Sequence, residues 1–240
     1  MLIYGKNSVL ERLKANPDSI KKIFLQENFD DAGILEIIKS KNIPHQCAST
    51  KNLPIFKRNE RLQGIAAEVS GFKYNSFREL MENRERNSLS FIFLDGLTDP
   101  QNLGAIIRIA ACLGGFAVVI PEHESCEVNE TVLNVASGGE NYVQVCKVGN
   151  FTNALIQAKK YGYWIAATVV ENGEDIRKTS LPFPLCLVIG SEGKGIHYGV
   201  NKQAELRLSL PMKGAALSFN AAMACAIFCY EITRQRQDIS

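Results

Sequence analysis

The 240-residue sequence has no Cys-x-x-Cys pair, only three histidines, and no apolar run of membrane length. Its seven cysteines, Cys47, Cys112, Cys126, Cys146, Cys186, Cys225 and Cys229, are odd in number and scattered. That pattern is expected of reduced thiols in a cytoplasmic protein, not of a disulfide framework. Cys225 and Cys229 share one helix face, but no histidine or second cysteine pair accompanies them, so no metal site is expected. His45, His123 and His197 are isolated and read as loop or structural residues. The longest strongly apolar stretch, 221–230, is about half of the roughly 20 residues that cross a bilayer. The first residues carry charge by position 6 and lack a signal-peptide core, so neither export nor membrane association is expected. Lys plus Arg number 27 against 25 Asp plus Glu, a formal net charge of +2, which argues against a polybasic tail or anchor.

What is present is ordinary globular composition, 46% hydrophobic and 22% charged, in a chain long enough for one large or two small domains. The charge is unevenly divided. Residues 1–90 hold 15 basic and 11 acidic side chains, and the remainder 12 and 14. Within the first part Lys39, Lys41, Lys51, Lys57, Arg58 and Arg61 are opposed only by Glu60, which suits either a phosphate-facing surface or a solvated face.

The pattern of residues 1–70 predicts a small α/β unit. Helices are expected at 8–15 and 31–40, the latter with Ile34, Leu35, Ile37 and Ile38 inward. Strands are expected at 20–25, 43–47 and 65–69, with a turn or short helix at 50–56. Residues 71–90, poor in aliphatics, read as a linker with one helical turn at 77–81. From 91 to 240 the texture changes. Short apolar runs at 91–94, 117–120, 164–167, 185–189 and 206–210 alternate with helical stretches at 103–113, 127–136, 151–161 and 218–234. This alternation predicts a parallel sheet covered by helices on both faces, with ligands bound at the carboxyl ends of its strands.

Three loops at such ends carry the polar residues. The first, 94–104, runs into a helix that Asn102 is expected to cap. Arg108 follows amid Ile106, Ile107, Ile109 and Ala110, where a buried guanidinium needs a partner. A structural salt bridge and a phosphate or reacting oxygen are both open. The second, 188–196, has three glycines in six residues after an apolar strand. Tight backbone and close ligand approach follow. It fails the Walker pattern, because Ile196 and His197 stand after the last glycine, and it fails the dinucleotide pattern at Tyr198. Glu192 within it disfavours a phosphorylated ligand. The third, 210–220, enters the apolar helix with Ser218 as expected cap. That helix is expected to be buried, so Asn220 needs a specific partner. Together the loops offer amides, hydroxyls, one arginine and one glutamate, with no carboxylate pair or Ser-His-Asp arrangement.

In sequence the loops LDGLTDPQNLGAIIRIA (94–110), LVIGSEGKGI (187–196) and LSLPMKGAALSFNAAMA (208–224) resemble, in order and spacing, the three motifs of the SpoU (TrmH) family of RNA ribose 2'-O-methyltransferases. YGKNSV (4–9), IKKIFL (20–25) and QGIAAEV (63–69) resemble the L30e-like RNA-binding domain of the branch that methylates a guanosine of bacterial 23S rRNA. The resemblance implies an L30e-like domain at 1–70, a linker at 71–90, and at 91–240 a SPOUT-type α/β domain with a deep trefoil knot. It implies a homodimer joined through that second domain, S-adenosyl-methionine as methyl donor, and structured RNA, the 23S rRNA, as partner. A tRNA substrate, or a non-catalytic RNA-binding module, are the alternatives. By position it implicates Gly190, Leu210 and Phe219 in holding the donor, with Ile189, Leu217 and Thr168 beside them. Near the ribose it places Asn102, Arg108, Glu192, Ser218 and Asn220. Departures from the family pattern bear on the site: in the third motif Phe219 stands for leucine and Ala222 for serine, and before Gln63-Gly64 Leu62 stands where the 23S branch often has histidine.

Overall fold

The computed structural model describes residues 1–49, 62–82, 89–214 and 217–237. Two sheets organise them. The first has four strands, β1 (Leu2–Tyr4), β2 (Ile20–Gln26), β3 (His45–Ala48) and β4 (Ile65–Val69), in the order β1-β4-β2-β3. β4 runs antiparallel to both neighbours, whereas β2 and β3 are parallel. Helix α1 (Lys6–Ala15) and helix α2 (Ala32–Ser40) join these strands. Asp31 caps α2 by accepting from the Ile34 amide, and the helix buries Ile34 and Ile38, leaving Leu35 and Ile37 half-buried. β1 was not expected from pattern, because three residues are too few to show an alternation. The expected turn at 50–56 and the basic residues Lys51, Lys57, Arg58 and Arg61 lie outside the described residues. Lys39 and Lys41 are exposed.

The edge of β1 is closed by the second part of the chain. Glu130 accepts from the Leu2 amide at 2.8 Å and Asn134 from the Tyr4 amide at 2.9 Å. Paired in this way, an edge strand no longer offers free donors to another chain. Residues 71–82 are also tied down. The Asn75 amide donates to the Val145 carbonyl, the Val128 amide donates to the Tyr74 hydroxyl, and helix α3 (Phe77–Glu82) sets Phe77 edge-on against Phe91 and Phe93.

The second sheet has seven strands, every pairing parallel. They are β5 (Ser90–Asp95), β6 (Phe116–Pro121), β7 (Gln144–Val148), β8 (Trp164–Thr168), β9 (Glu174–Asp175), β10 (Leu185–Gly190) and β11 (Leu206–Ser209). Their order is β7-β6-β5-β10-β8-β11-β9. β7 and β9 escaped the sequence reading: Gln144 and Lys147 interrupt the first, and the second is two acidic residues long. The helices are α4 (Pro100–Leu113), α5 (Glu130–Ala136), α6 (Phe151–Lys160), α7 (Tyr198–Asn201) and α8 (Ala221–Gln237). Alternation along β5 shows how both faces are filled. Ile92 and Leu94 join the core beneath α4, α5 and α8, while Phe91 and Phe93 join Phe77, Phe151 and Tyr163 on the other side. The first of these cores is continuous with that of the small sheet.

Helix α8 departs from expectation. It buries Ala221, Ala222, Cys225, Phe228, Cys229 and Ile232, but Met223, Ile227 and Tyr230 are exposed along one stripe, Tyr230 by 65%. Steps of four and three residues set these side chains on one face, and nothing among the described residues covers it. Among the described residues no helix is long and apolar enough to cross a membrane.

Candidate active site

The central strands β5, β10, β8 and β11 end together, and their following loops meet. Two local choices differ from the sequence reading and create the site. First, Asp99 caps α4, accepting from the Gln101 amide at 2.8 Å, with Pro100 in the first turn. Asn102 is therefore not a cap, and its buried amide is free to reach across the sheet. Second, α8 starts at Ala221, so Ser218 is too far upstream to cap it. Asn220 takes that role, accepting from the Met223 amide at 2.8 Å.

The freed groups converge on Glu192. Asn102 Nδ2 donates to Glu192 Oε1 at 2.7 Å, and the Ala221 amide approaches the same oxygen at 3.4 Å. Asn220 Nδ2 donates to Asn102 Oδ1 at 3.4 Å, so one amide links the first loop to the third while the other links it to the second. Glu192 is exposed on a loop that doubles back, with Ser191 and Gly195 exchanging backbone hydrogen bonds. Gly190 makes that return possible. A Cβ there would stand 2.3 Å from the carbonyl carbon of Gly195, well inside contact distance. Gly195 itself has φ +68°, in the left-handed region.

Beside this loop lies a pocket of about 380 Å³. Thr168, Ile189, Gly190, Leu210, Ser218 and Phe219 line it, with Glu192 at its wall and Phe228 at its base. Pockets of this size and mixed apolar lining hold nucleoside-sized ligands. The carboxylate of Glu192 suits a cationic one, and the lining supplies the flat apolar surface an adenine ring needs. Leu217 lies outside the pocket and is 75% exposed. Phe219 lines the pocket and is 45% exposed. Ala222 is buried against the core.

Arg108 is not where its neighbours led one to expect. Its side chain is exposed and has no partner among the described residues. It opens into another cleft, with Gln101, Tyr4, Asn7, Gln63 and Glu130, between the small sheet and helices α4 and α5. Six positions on from Asn102 are more than a turn and a half of helix, which carries Arg108 about 120° around the axis and ~9 Å along it.

One pair escaped the sequence reading. His197 is not isolated: its amide donates to Asp95 Oδ2 at 2.7 Å and its Nδ1 lies 2.9 Å from Asp95 Oδ1. Asp95, the last residue of β5, is buried, whereas His197 is 47% exposed. A carboxylate ending a central parallel strand was the available signal.

Residues 90–230 match the SpoU rRNA Methylase family, and residues 2–75 match the RNA 2'-O ribose methyltransferase substrate-binding family. A Staphylococcus haemolyticus protein assigned to the TrmH family of tRNA/rRNA methyltransferases is 31% identical over 245 residues, covering 100% of this chain and 97% of its own. A Staphylococcus aureus (strain MSSA476) counterpart is 33% identical over 244 residues, covering 99% and 97%. Among solved structures, the SpoU methyltransferase AviRb of Streptomyces viridochromogenes in complex with AdoMet superposes with a TM-score of 0.81 at 19% identity, over 99% of this chain and 91% of that one. The A. aeolicus TrmH/SpoU tRNA modifying enzyme gives 0.56 at 27% identity, over 68% and 82%. The fold is the SPOUT-type parallel α/β domain with a distinct N-terminal substrate-binding domain. The chain belongs to the SpoU family, and its activity is S-adenosyl-methionine-dependent methylation of RNA ribose 2'-hydroxyls.

Proposed function

We propose that this enzyme methylates a guanosine 2'-hydroxyl in 23S rRNA, with a homodimer as the active form. The observation that carries the reaction is the hydrogen-bonded series Asn220–Asn102–Glu192, which ties three distant segments together and holds Glu192 in the lining of the 380 Å³ pocket. The residues that would hold the methyl donor are Thr168, Ile189, Gly190, Leu210 and Phe219. The donor supplies an electrophilic methyl group already activated by positive charge. The chain must then orient the ribose and assist departure of its hydroxyl proton. Glu192, steadied by Asn102, faces the pocket for that purpose, and Asn220 orders the third loop against it. Ser218 lines the same pocket as a further hydroxyl for orientation.

Arg108 is the residue we assign to the acceptor hydroxyl or its neighbouring phosphate. Because it opens into a different cleft from Glu192 of its own chain, this role requires a second copy. The exposed stripe of Met223, Ile227 and Tyr230 on α8 is apolar surface that such a copy would cover. Mixing Arg108→Ala and Glu192→Gln chains, each strongly impaired alone, should restore activity, since each mixed dimer would own one intact site. No recovery after subunit exchange would place both residues in one chain's site.

The substrate reading rests on the N-terminal domain and its likeness to the 23S guanosine branch. The net positive charge of residues 1–90 attracts any RNA, and selection of one nucleotide is usually made in a structured, single-stranded loop. Leu62, where that branch often carries histidine, is buried against Ala66. Mapping of methylated positions after reaction with protein-free rRNA and with bulk tRNA tests the assignment. Modification confined to tRNA would overturn the 23S target and leave the reaction standing.

A further inference from the structure

The loop that carries Glu192 has two sides, and only one of them faces the pocket described above. Its other side borders a separate cleft of about 560 Å³, lined by Gly96, Thr98, Asp99, Glu124, Lys194 and His197. Ser191, Glu192, Gly193 and Lys194 line both cavities. The two cavities thus adjoin at this doubled-back loop, and Glu192 is reachable from each.

We propose that this second cleft receives the nucleoside that accepts the methyl group, and that His197, held by Asp95, touches it. The inference rests on the reading of the chain as an RNA ribose methyltransferase and adds a positioning pair to it. Three observations lead there. The first is that Asp95 binds His197 twice, through the backbone amide and through Nδ1. One carboxylate thereby sets both the path of the loop and the plane of the ring. The second is that the ring is half exposed at the cleft, and its Nε2 has no partner among the described residues. An imidazole whose Nδ1 is committed to a buried carboxylate presents its other nitrogen in a fixed direction. The third is charge. Asp99, Glu124 and Glu192 face the cleft against Lys194 and His197. Three carboxylates beside two basic side chains disfavour a phosphate, whereas a ribose and a base edge offer hydroxyl and amino donors to the carboxylates and to Nε2, and acceptors to Nζ.

A rival account makes Asp95–His197 a mechanical latch for the loop and nothing more. Two substitutions separate the accounts. In His197→Asn the side-chain amide falls where Nδ1–H was, so the bond to Asp95 is kept and only Nε2 is lost. In His197→Ala both are lost. Each variant and the wild type would be assayed for S-adenosyl-methionine affinity by calorimetry, thermal stability, and steady-state methylation of protein-free rRNA and bulk tRNA. We expect His197→Asn to keep donor affinity and melting temperature, and to raise KM for RNA about tenfold, the order of one lost hydrogen bond to a polar ligand group. Wild-type KM in His197→Asn, with impairment only in His197→Ala, would overturn the proposal in favour of the latch. Equal loss of donor affinity and RNA affinity in His197→Asn would overturn it as well. A wild type that prefers tRNA overturns the 23S assignment, and the KM ratio measured on tRNA then decides His197. A wild type inactive on every RNA overturns the reading this inference rests on, and the inference with it.

Discussion

Glu140 and Glu192 are both glutamates in glycine-bearing turns, and each is bound by the side chain of a residue distant in sequence. Glu140 meets Arg12 at 2.8 Å where α1 packs on the turn after α5, and both side chains are almost wholly buried. Glu192 meets the neutral Asn102 at a similar distance, 2.7 Å, but stands exposed between two cavities. A buried charge needs an opposite charge, and once paired it is fixed and inaccessible. An exposed carboxylate held by uncharged amides is oriented and still available to a ligand. Burial and partner type, more than residue type, separate the structural glutamate from the functional one.

Breaking the buried pair should produce the largest effect. Arg12→Ala leaves the Glu140 carboxylate enclosed and without its counter-ion, a change that typically costs about 3–5 kcal/mol. Denaturant unfolding would measure it, and because the pair joins the small domain to the large one, the two should also begin to unfold separately. The loss of less than about 1 kcal/mol would mean that the pair is hydrated in solution and resembles Glu192 after all.

Glu192→Gln attacks the other side of the comparison. The amide keeps the shape and accepts from Asn102, so stability should change by no more than about 0.5 kcal/mol, as at other exposed positions. Turnover should fall by roughly 10²-fold, about 2.7 kcal/mol of barrier. Equal losses of stability and activity would show Glu192 to be a structural residue like Glu140.

The two sites also differ in how much of them could be read in advance. Glu192, Asn102 and Asn220 announce themselves because polar residues in glycine-rich loops after apolar strands have few structural reasons to be there. Their mutual bonds were not legible, since these depend on which residue caps each helix. Asp99 and Asn220 take the caps at a displacement of only two or three residues from the expected Asn102 and Ser218, and that displacement decides which amides remain free. Arg108 was misread for a related reason. Its apolar neighbours along the chain lie on other faces of α4, so adjacency in sequence did not mean burial. Arg12–Glu140 spans 128 positions and left no local trace. The parallel sheet was plain from its apolar runs, whereas β7 and β9, polar edge strands, were not. The knot implied by family resemblance is a property of the path of the chain, which no periodicity records.

The smallest expected effect is a pH dependence specific to Glu140. Burial pushes its carboxyl above the ordinary carboxylate range, and the attraction of Arg12 opposes that shift without cancelling it. A carboxyl raised in the folded state binds its proton at a pH where the unfolded chain has not yet done so. Folding is therefore favoured by acid in the window between the raised value and the ordinary one, and the contribution is lost as pH rises through the folded value. Asp175 works in the opposite sense. Its hydrogen bonds with Arg177 hold it down to about 2, so its contribution is present above the ordinary range and fades as pH falls toward that value. The two windows do not overlap, which lets one titration separate them. Glu140→Gln preserves an acceptor for Arg12 and removes the titration. The melting temperature of the wild type minus that of Glu140→Gln should therefore increase as pH is lowered from 7 toward 5, before Asp175 enters. A difference that stays flat over this range and shrinks only as pH falls below the ordinary carboxylate value would mean that Arg12 outweighs burial and holds Glu140 down, with the same sign as Asp175.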